Sequence, residues 1–475
     1  MRRFVVATLV AVCPLTAGAC LAAPASSSLP EPLRTTAASL RDEAVRGTGA
    51  FEIVRSLTIE VGPRPAGSPG DKLAIAWGVR TMRELGLSNV RAEPVTVPHW
   101  EPGVAEAAIT APWPQPLVIL PLGGSVGTPE AGVEADVVVF PSVQDLEKAA
   151  ADQVRGKIVF LNKRMERARD GSGYGAAVGG RGRGALVAGK LGAAALLLRS
   201  VGTDNNRTPH TGAMRYEEGQ PKIPAAALSN PDADLLEAQL ASGKPVRVRL
   251  KLGSRRLPDE ESANVIGEIP GREKPEEIVL LGCHLDSWFP GTGAVDDGAG
   301  CAIVLEAARR IGALPQKPRR TIRVVLFANE EFGLSGARAY AEAHAAELPR
   351  HVLAGESDFG SGRVWRVSSR VAPEALPFVD EIAALLAPLG VTERGGNDSG
   401  GGADLIPMAP ARVPMISLGQ DGTYYFDWHH TANDTLDKID PKDLDQNVAA
   451  WAAAAYVAAE MPGDFGRAPE GEGGE

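Results

Sequence analysis

Residues 262–463 carry short, continuous apolar runs: ANVIGEI, EEIVLLGCHL, RTIRVVLFANE, HVLAGESDF and VPMISLG. Stretches with a helical period, such as CAIVLEAARRIGAL and ARAYAEAHAAEL, lie between several of them. A strand covered on both faces reads as an unbroken apolar run, and strands alternating with helices predict an α/β fold. The expected core is therefore a mostly parallel central sheet with helices on both faces. From 104 to 254 the pattern changes. PLVILPL, ADVVVF, GKIVFL, AALLLRS and VRVRLKL are short β-like runs with frequent glycine between them, and LVAGKLGAAALLLRS reads as a helix feeding a strand. This stretch predicts a β-rich inserted domain. Ahead of it, DKLAIAWGVRTMRELGL has a helical period after the turn cluster GPRPAGSPG.

The expected division follows from these changes. Residues 1–25 are a leader, 26–103 the first part of the main domain, 104–254 the insertion, 255–463 the rest of the main domain, and 464–475 a disordered tail. The leader, MRRFVVATLVAVCPLTAGACLAAPA, joins two arginines, an apolar stretch and small residues. That is the pattern of an export signal, too short and broken for a membrane span. Small residues before Cys20 leave lipidation of that cysteine as the rival reading. No other segment is long and apolar enough to span a bilayer, so the expected location is periplasmic or secreted.

Composition adds two restrictions. The chain has 475 residues, 23% of them charged, with a net charge of −10, which argues against a nucleic-acid partner. Of four cysteines, Cys13 and Cys20 fall in the leader. Cys283 and Cys301 remain, either as a disulfide or as two buried thiols.

The chemistry gathers at the predicted strand ends. EEIVLLGCHLDSW delivers His284 and Asp286, and GTGAVDDGAG delivers Asp296 and Asp297 before a helix. FANEEFGLSG gives Glu330 and Glu331, HVLAGESDFG gives Glu356 and Asp358, and YYFDWHHTANDT gives His429, His430 and Asp434. Each alone has an ordinary reading as a cap or a solvated loop residue. Five such sites in one domain converge if the strands share a sheet edge. Imidazoles and carboxylates without a thiolate pair are the ligand set that zinc chemistry uses. One of two adjacent glutamates can bind metal while its neighbour serves as general base. His210 stands apart in the insertion and reads as a loop histidine.

HLDSW, GAVDDGAG, NEEFGLSG, ESDFG and HHTANDT together resemble the M28 co-catalytic zinc peptidases, and the similarity extends over roughly residues 45–460. The resemblance implies an exopeptidase of short peptides with two Zn²⁺ ions per chain, most like a carboxypeptidase branch that takes unblocked dipeptides. An aminopeptidase of the same family is the nearest alternative, and a non-catalytic binding protein on the same fold a more distant one. It also implies that Asp296 bridges the two ions. His284 and Asp358 would complete one site, and Glu331 and His430 the other. Glu330 would be the general base, and Asp286 would orient His284 by accepting its second ring N–H. His429 could donate to the oxyanion, and a cis peptide often follows the bridging aspartate. The insertion would be a protease-associated-like domain, and a homodimer is a further implication. The loop ERGGNDSGGGADLIP either presents backbone N–H groups to a substrate carboxylate or forms a tight connection.

Overall fold

The structure is a computed structural model that describes residues 29–470. The expected leader, with Cys13 and Cys20, and residues 471–475 lie outside the described residues.

Strand Arg320–Phe327 is buried along its whole length. It is apolar throughout because its two faces feed different cores. Ile322, Val324 and Leu326 pack in a cluster with Trp77, Met82 and the helices Ala299–Gly312 and Pro441–Glu460. Val325 and Phe327 point the other way, into a cluster with Tyr340, Leu405 and Met408. Period-two alternation in the strand produces this division.

The main sheet has eight strands, in the order Ser88–Glu101, Arg255–Ile269, Arg320–Phe327, Lys274–His284, His351–Glu356, Met415–Gln420, Val364–Arg370 and Glu393–Arg394. The four strands from Arg320–Phe327 to Met415–Gln420 are parallel, as expected. Antiparallel pairs flank them on both sides. Because the middle strands run in one direction, the loops after His284, Phe327 and Glu356 leave from a common edge. Strand Arg255–Ile269 begins outside the core. Arg255–Glu261 is mostly exposed and pairs only with Ser88–Glu101, forming a ribbon toward the insertion.

The insertion builds a second sheet of eight strands, all between Ala105 and Leu252. Four of them, Val133–Phe140, Ile158–Leu161, Ala195–Arg199 and Ala225–Leu228, are parallel neighbours. Helices Ser172–Lys190 and Asn230–Ala241 accompany them, so the unit is α/β rather than simply β-rich. The first helix is rich in glycine, and only its last residues fall in the stretch LVAGKLG that reads as helix in the sequence. Gly184 serves close packing: a Cβ there would lie 2.7 Å from Leu161 Cδ1.

The expected disordered tail is corrected over its first part. Phe465 is fully buried, and its carbonyl accepts from the Ala372 N–H at 3.0 Å. Ala468 donates to the Arg412 carbonyl at 3.0 Å. A buried aromatic ring and two backbone hydrogen bonds dock a polar segment whose average composition suggests disorder.

The second unit reaches back to the main domain through His210 and Thr211. Thr211 N–H donates to the His430 carbonyl at 3.1 Å. His210 is buried, with Nδ1 2.7 Å from the His429 carbonyl and Nε2 2.8 Å from Asp204 Oδ1. The histidine lies in a loop, as expected, but it ties two units together. His210→Ala would leave Asp204 Oδ1 and the His429 carbonyl unpaired. Buried unsatisfied groups cost roughly 1–3 kcal/mol each. Calorimetry is expected to show the thermal midpoint falling by about 2–6 °C; an unchanged midpoint would show that the tie contributes nothing to stability.

Candidate metal centre

Strand ends and one helix start deliver the candidate ligands. His284 is the last residue of its strand, and Asp358 follows Glu356 by two positions. Glu330 and Glu331 sit in the turn after Phe327. Asp296 lies just before helix Ala299–Gly312, and the Asp296–Asp297 peptide is cis. His430 adopts a positive φ of 61° in the loop after Tyr425–Asp427. These residues meet. His284 Nε2 is 3.1 Å from Asp296 Oδ1 and 3.4 Å from Asp358 Oδ1. His430 Nε2 is 3.2 Å from Asp296 Oδ2 and 3.0 Å from Glu331 Oε2. Asp296 therefore faces one histidine with each oxygen.

His429 stacks on His430 with ring centroids 3.5 Å apart. Its Nε2 is 3.7 Å from Asp296 Oδ2, farther than that of His430. Of the two histidines, His430 is the one that also touches Glu331.

Charge is unevenly balanced here. Burial raises Glu330 and Glu331 well above the usual carboxylate range, and neighbouring carboxylates add to this. Burial raises Asp358 as well. Glu356 is pushed up to about 8 by burial and by Asp358. For Asp296 burial acts upward too, but the His284 and His430 rings outweigh it and hold the group well below the usual range. Burial pushes His284 down, yet Asp358, Asp286 and Asp296 prevail and hold it well above an ordinary imidazole. Asp286 Oδ2, Asp296 Oδ2 and Glu331 Oε1 are buried with no hydrogen-bond partner. Unpartnered buried oxygens beside two imidazoles fit a divalent cation, and the donor set fits zinc.

The supporting residues differ in part from expectation. His284 Nδ1 lies 3.1 Å from the main-chain carbonyl of Asp286 and 3.6 Å from its carboxylate. The carbonyl thus orients the ring, while Asp286 Oδ1 accepts the Glu330 N–H at 3.0 Å. Sequence identifies the residue but not which of its oxygens acts. Asp434 accepts the Val295 N–H at 2.6 Å and the Asp296 N–H at 3.3 Å, holding the backbone that presents Asp296. Burial and Asp296 raise Asp434 to about 7. Asp297 accepts the N–H groups of His284 and Gly300.

Arg64, in the motif GPRPAGS, is fully buried. Its guanidinium donates to the carbonyls of Leu285, Thr292 and Gly293, fixing the loop between His284 and Asp296. Nothing in the local pattern marks this arginine as a clamp. Cys283 and Cys301 are buried free thiols that lie side by side on the core side of His284.

Part of the glycine-rich loop at 393–407 is tied to the surrounding protein, while Ala403 and Ile406 line the cavity described below. The N–H groups of Gly395, Ser399, Gly401, Asp404 and Leu405 already donate to protein acceptors. Between the two units lies a cavity of about 970 Å³. Asp296, Glu330, Glu331, Asp358, His429 and His430 line its floor. The insertion contributes Tyr174, Arg181, Met214 and Tyr216, which the sequence does not single out.

The chain is similar to known proteins. Residues 264–455 match the model of peptidase family M28. Carboxypeptidase Q from Mus musculus is 38% identical over 412 residues, covering 87% of this chain and 86% of the mouse protein. The aminopeptidase YwaD of Bacillus subtilis (strain 168) is 24% identical over 88% of the chain and 86% of its own length. Among solved structures, a peptidase M28 precursor from Shewanella amazonensis SB2B superposes with a TM-score of 0.91 at 50% identity, covering 93% of this chain and 100% of that one. With the parallel sheet, the strand-end ligands and relatives matched over most of its length, the chain belongs to peptidase family M28.

Proposed function

We propose that this peptidase is an exported dizinc exopeptidase that hydrolyses unblocked dipeptides. His284, Asp358 and Asp296 would hold one zinc ion, and His430, Glu331 and Asp296 the other. When bound, such ions polarise a carbonyl oxygen and lower the pKa of a water molecule. The observation that carries this reading is the Asp296 carboxylate, with one oxygen 3.1 Å from His284 and the other 3.2 Å from His430.

The remaining steps belong to side chains. Glu330 lines the cavity next to Glu331 but pairs with neither histidine ligand. It takes the proton of the attacking water and passes it to the leaving amine. The Asp286 carboxylate fixes its backbone. Burial and His430 hold His429 well below the usual imidazole range. A neutral ring at that place donates a hydrogen bond to the developing oxyanion without carrying charge.

Residues 104–254, as a protease-associated-like domain, roof this site. The cavity has the size of a small-ligand site. A roofed cleft admits short peptides and excludes folded chains. Similarity to carboxypeptidase Q supports action on peptides with a free C-terminus. The export assignment rests on the leader sequence.

Glu330→Gln keeps the shape of the side chain but cannot accept a proton. Its kcat is expected to fall by about 10²–10⁴-fold, with zinc content unchanged by elemental analysis. Activity close to wild type would transfer the base role to another group.

A substrate panel tests the specificity. Unblocked dipeptides are expected to be cleaved, N-acetylated dipeptides poorly, and long polypeptides hardly at all. Stepwise release of residues from the N-terminus of a long peptide would instead select an aminopeptidase.

A further inference from the structure

Cys283 is the last residue but one of strand Lys274–His284, and Cys301 is the third residue of helix Ala299–Gly312. They are the only cysteines among the described residues. Neither has any exposed surface. Their thiols lie side by side, within hydrogen-bonding reach of each other, and Cys301 Sγ–H donates to the His284 carbonyl at 3.1 Å. Two cysteines can bond only where their side chains point at each other across a short gap. Thiols already in contact meet that condition.

The backbone sets this pairing without help from the sulfurs. Asp297 Oδ2 accepts the N–H of His284, the residue after Cys283, at 3.2 Å. Asp297 Oδ1 accepts the N–H of Gly300, the residue before Cys301, at 3.0 Å. One carboxylate thus clasps the chain beside both cysteines. Gly300 permits the approach, since a Cβ there would lie 2.3 Å from Asp297 Oδ1. The same two bonds argue against a cation at this place. Cys283, Asp297 and Cys301 come close enough to share one, but both oxygens of Asp297 are already engaged. Between the cysteines run residues 284–300, which carry His284, Asp286 and Asp296.

We propose that Cys283 and Cys301 become a disulfide in the exported protein, closing residues 284–300 into a covalent loop that presents the candidate ligands His284 and Asp296. The pairing rests on the geometry above, and the oxidant rests on the export reading. Both thiols are out of reach of solvent once the core has closed, so the bond forms during folding. Outside the cytoplasm the disulfide of a thiol oxidase accepts the electron pair. Two S–H bonds break, one S–S bond forms, and the oxidant's disulfide leaves as two thiols. Only a weak S–H donation to the His284 carbonyl is lost. The unfolded chain loses freedom in the segment that holds two ligands, so that segment has less left to lose when a metal binds. Arg64 and Asp434 fix the loop from within, and the new bond fixes its base.

The test uses the full chain, produced with its leader and recovered from outside the cytoplasm. It is denatured and alkylated without reductant, and its peptides are weighed by mass spectrometry. Cys283 and Cys301 are expected to be unalkylated and joined, the pair lighter by two hydrogens than the reduced peptides. Alkylation of both overturns the proposal. The chain is also denatured, reduced and refolded in a glutathione redox buffer, where export plays no part. The cross-link is expected there too, and free thiols after refolding would overturn the pairing itself. Failure of the export reading looks different: the chain stays in the cytoplasm with both thiols free yet links on refolding, and the assigned oxidant falls with that reading. A phosphine reductant is expected to lower the thermal midpoint of the zinc-loaded wild type by about 3–6 °C. It should leave the double variant Cys283→Ala, Cys301→Ala unmoved, which separates the bond from the packing that alanine removes. An equal response of the two proteins would overturn the role given to the bond.

Discussion

Concentrated negative charge, buried at the end of a parallel sheet, is the constraint on which this structure depends. Asp286, Asp296, Asp297, Glu356, Asp404 and Asp434 are buried there, with Glu330, Glu331 and Asp358 beside them. Burial alone drives most of these groups toward their neutral forms. Such a cluster persists only if the backbone holds it rigidly and cations offset it. The fold supplies the first. His284 and Glu356 end central strands, Arg64 fixes the intervening loop, and Asp434 secures the turn carrying Asp296. Two imidazoles supply part of the second, and divalent ions would supply the rest.

The same constraint explains why the insertion is fastened so closely. The loop bearing His429 and His430 has little regular structure of its own. His210 and Thr211 hold its main chain from the other unit. Thr211 also offers its carbonyl 3.2 Å from His430 Nδ1, which sets the ring so that Nε2 faces Asp296. Trp100 donates to the Ser125 carbonyl at 2.9 Å, and Gly123 lies so near Trp288 that a Cβ would be 2.0 Å from its ring. The roof is therefore part of the candidate site's own support.

Much of this was legible in the sequence because two signals coincide. Strands covered on both faces give unbroken apolar runs, and His284, Glu330 and Asp358 follow the ends of such runs directly. The M28 motifs then favour His430 over His429, and His430 is the ring that lies against both Asp296 and Glu331. Other features gave no signal for physical reasons. Arg255–Glu261 is strand yet mostly exposed, so it lacks an apolar pattern. The first turns of helix Ser172–Lys190 hide behind glycines, some of which, like Gly184, serve close packing. The roles of His210 and Arg64 depend on contacts with residues hundreds of positions away. For Asp286, the residue was legible but the use of its carbonyl was not.

The central claim is that Asp296 is shared by two metal sites. Calorimetric titration of zinc into metal-free protein tests it most directly, with wild type and Asp296→Ala side by side. Two zinc ions per wild-type chain, and weakening of both sites together in Asp296→Ala, are the predicted result. One site retaining wild-type affinity in the variant, or a single ion in the wild type, would contradict the account.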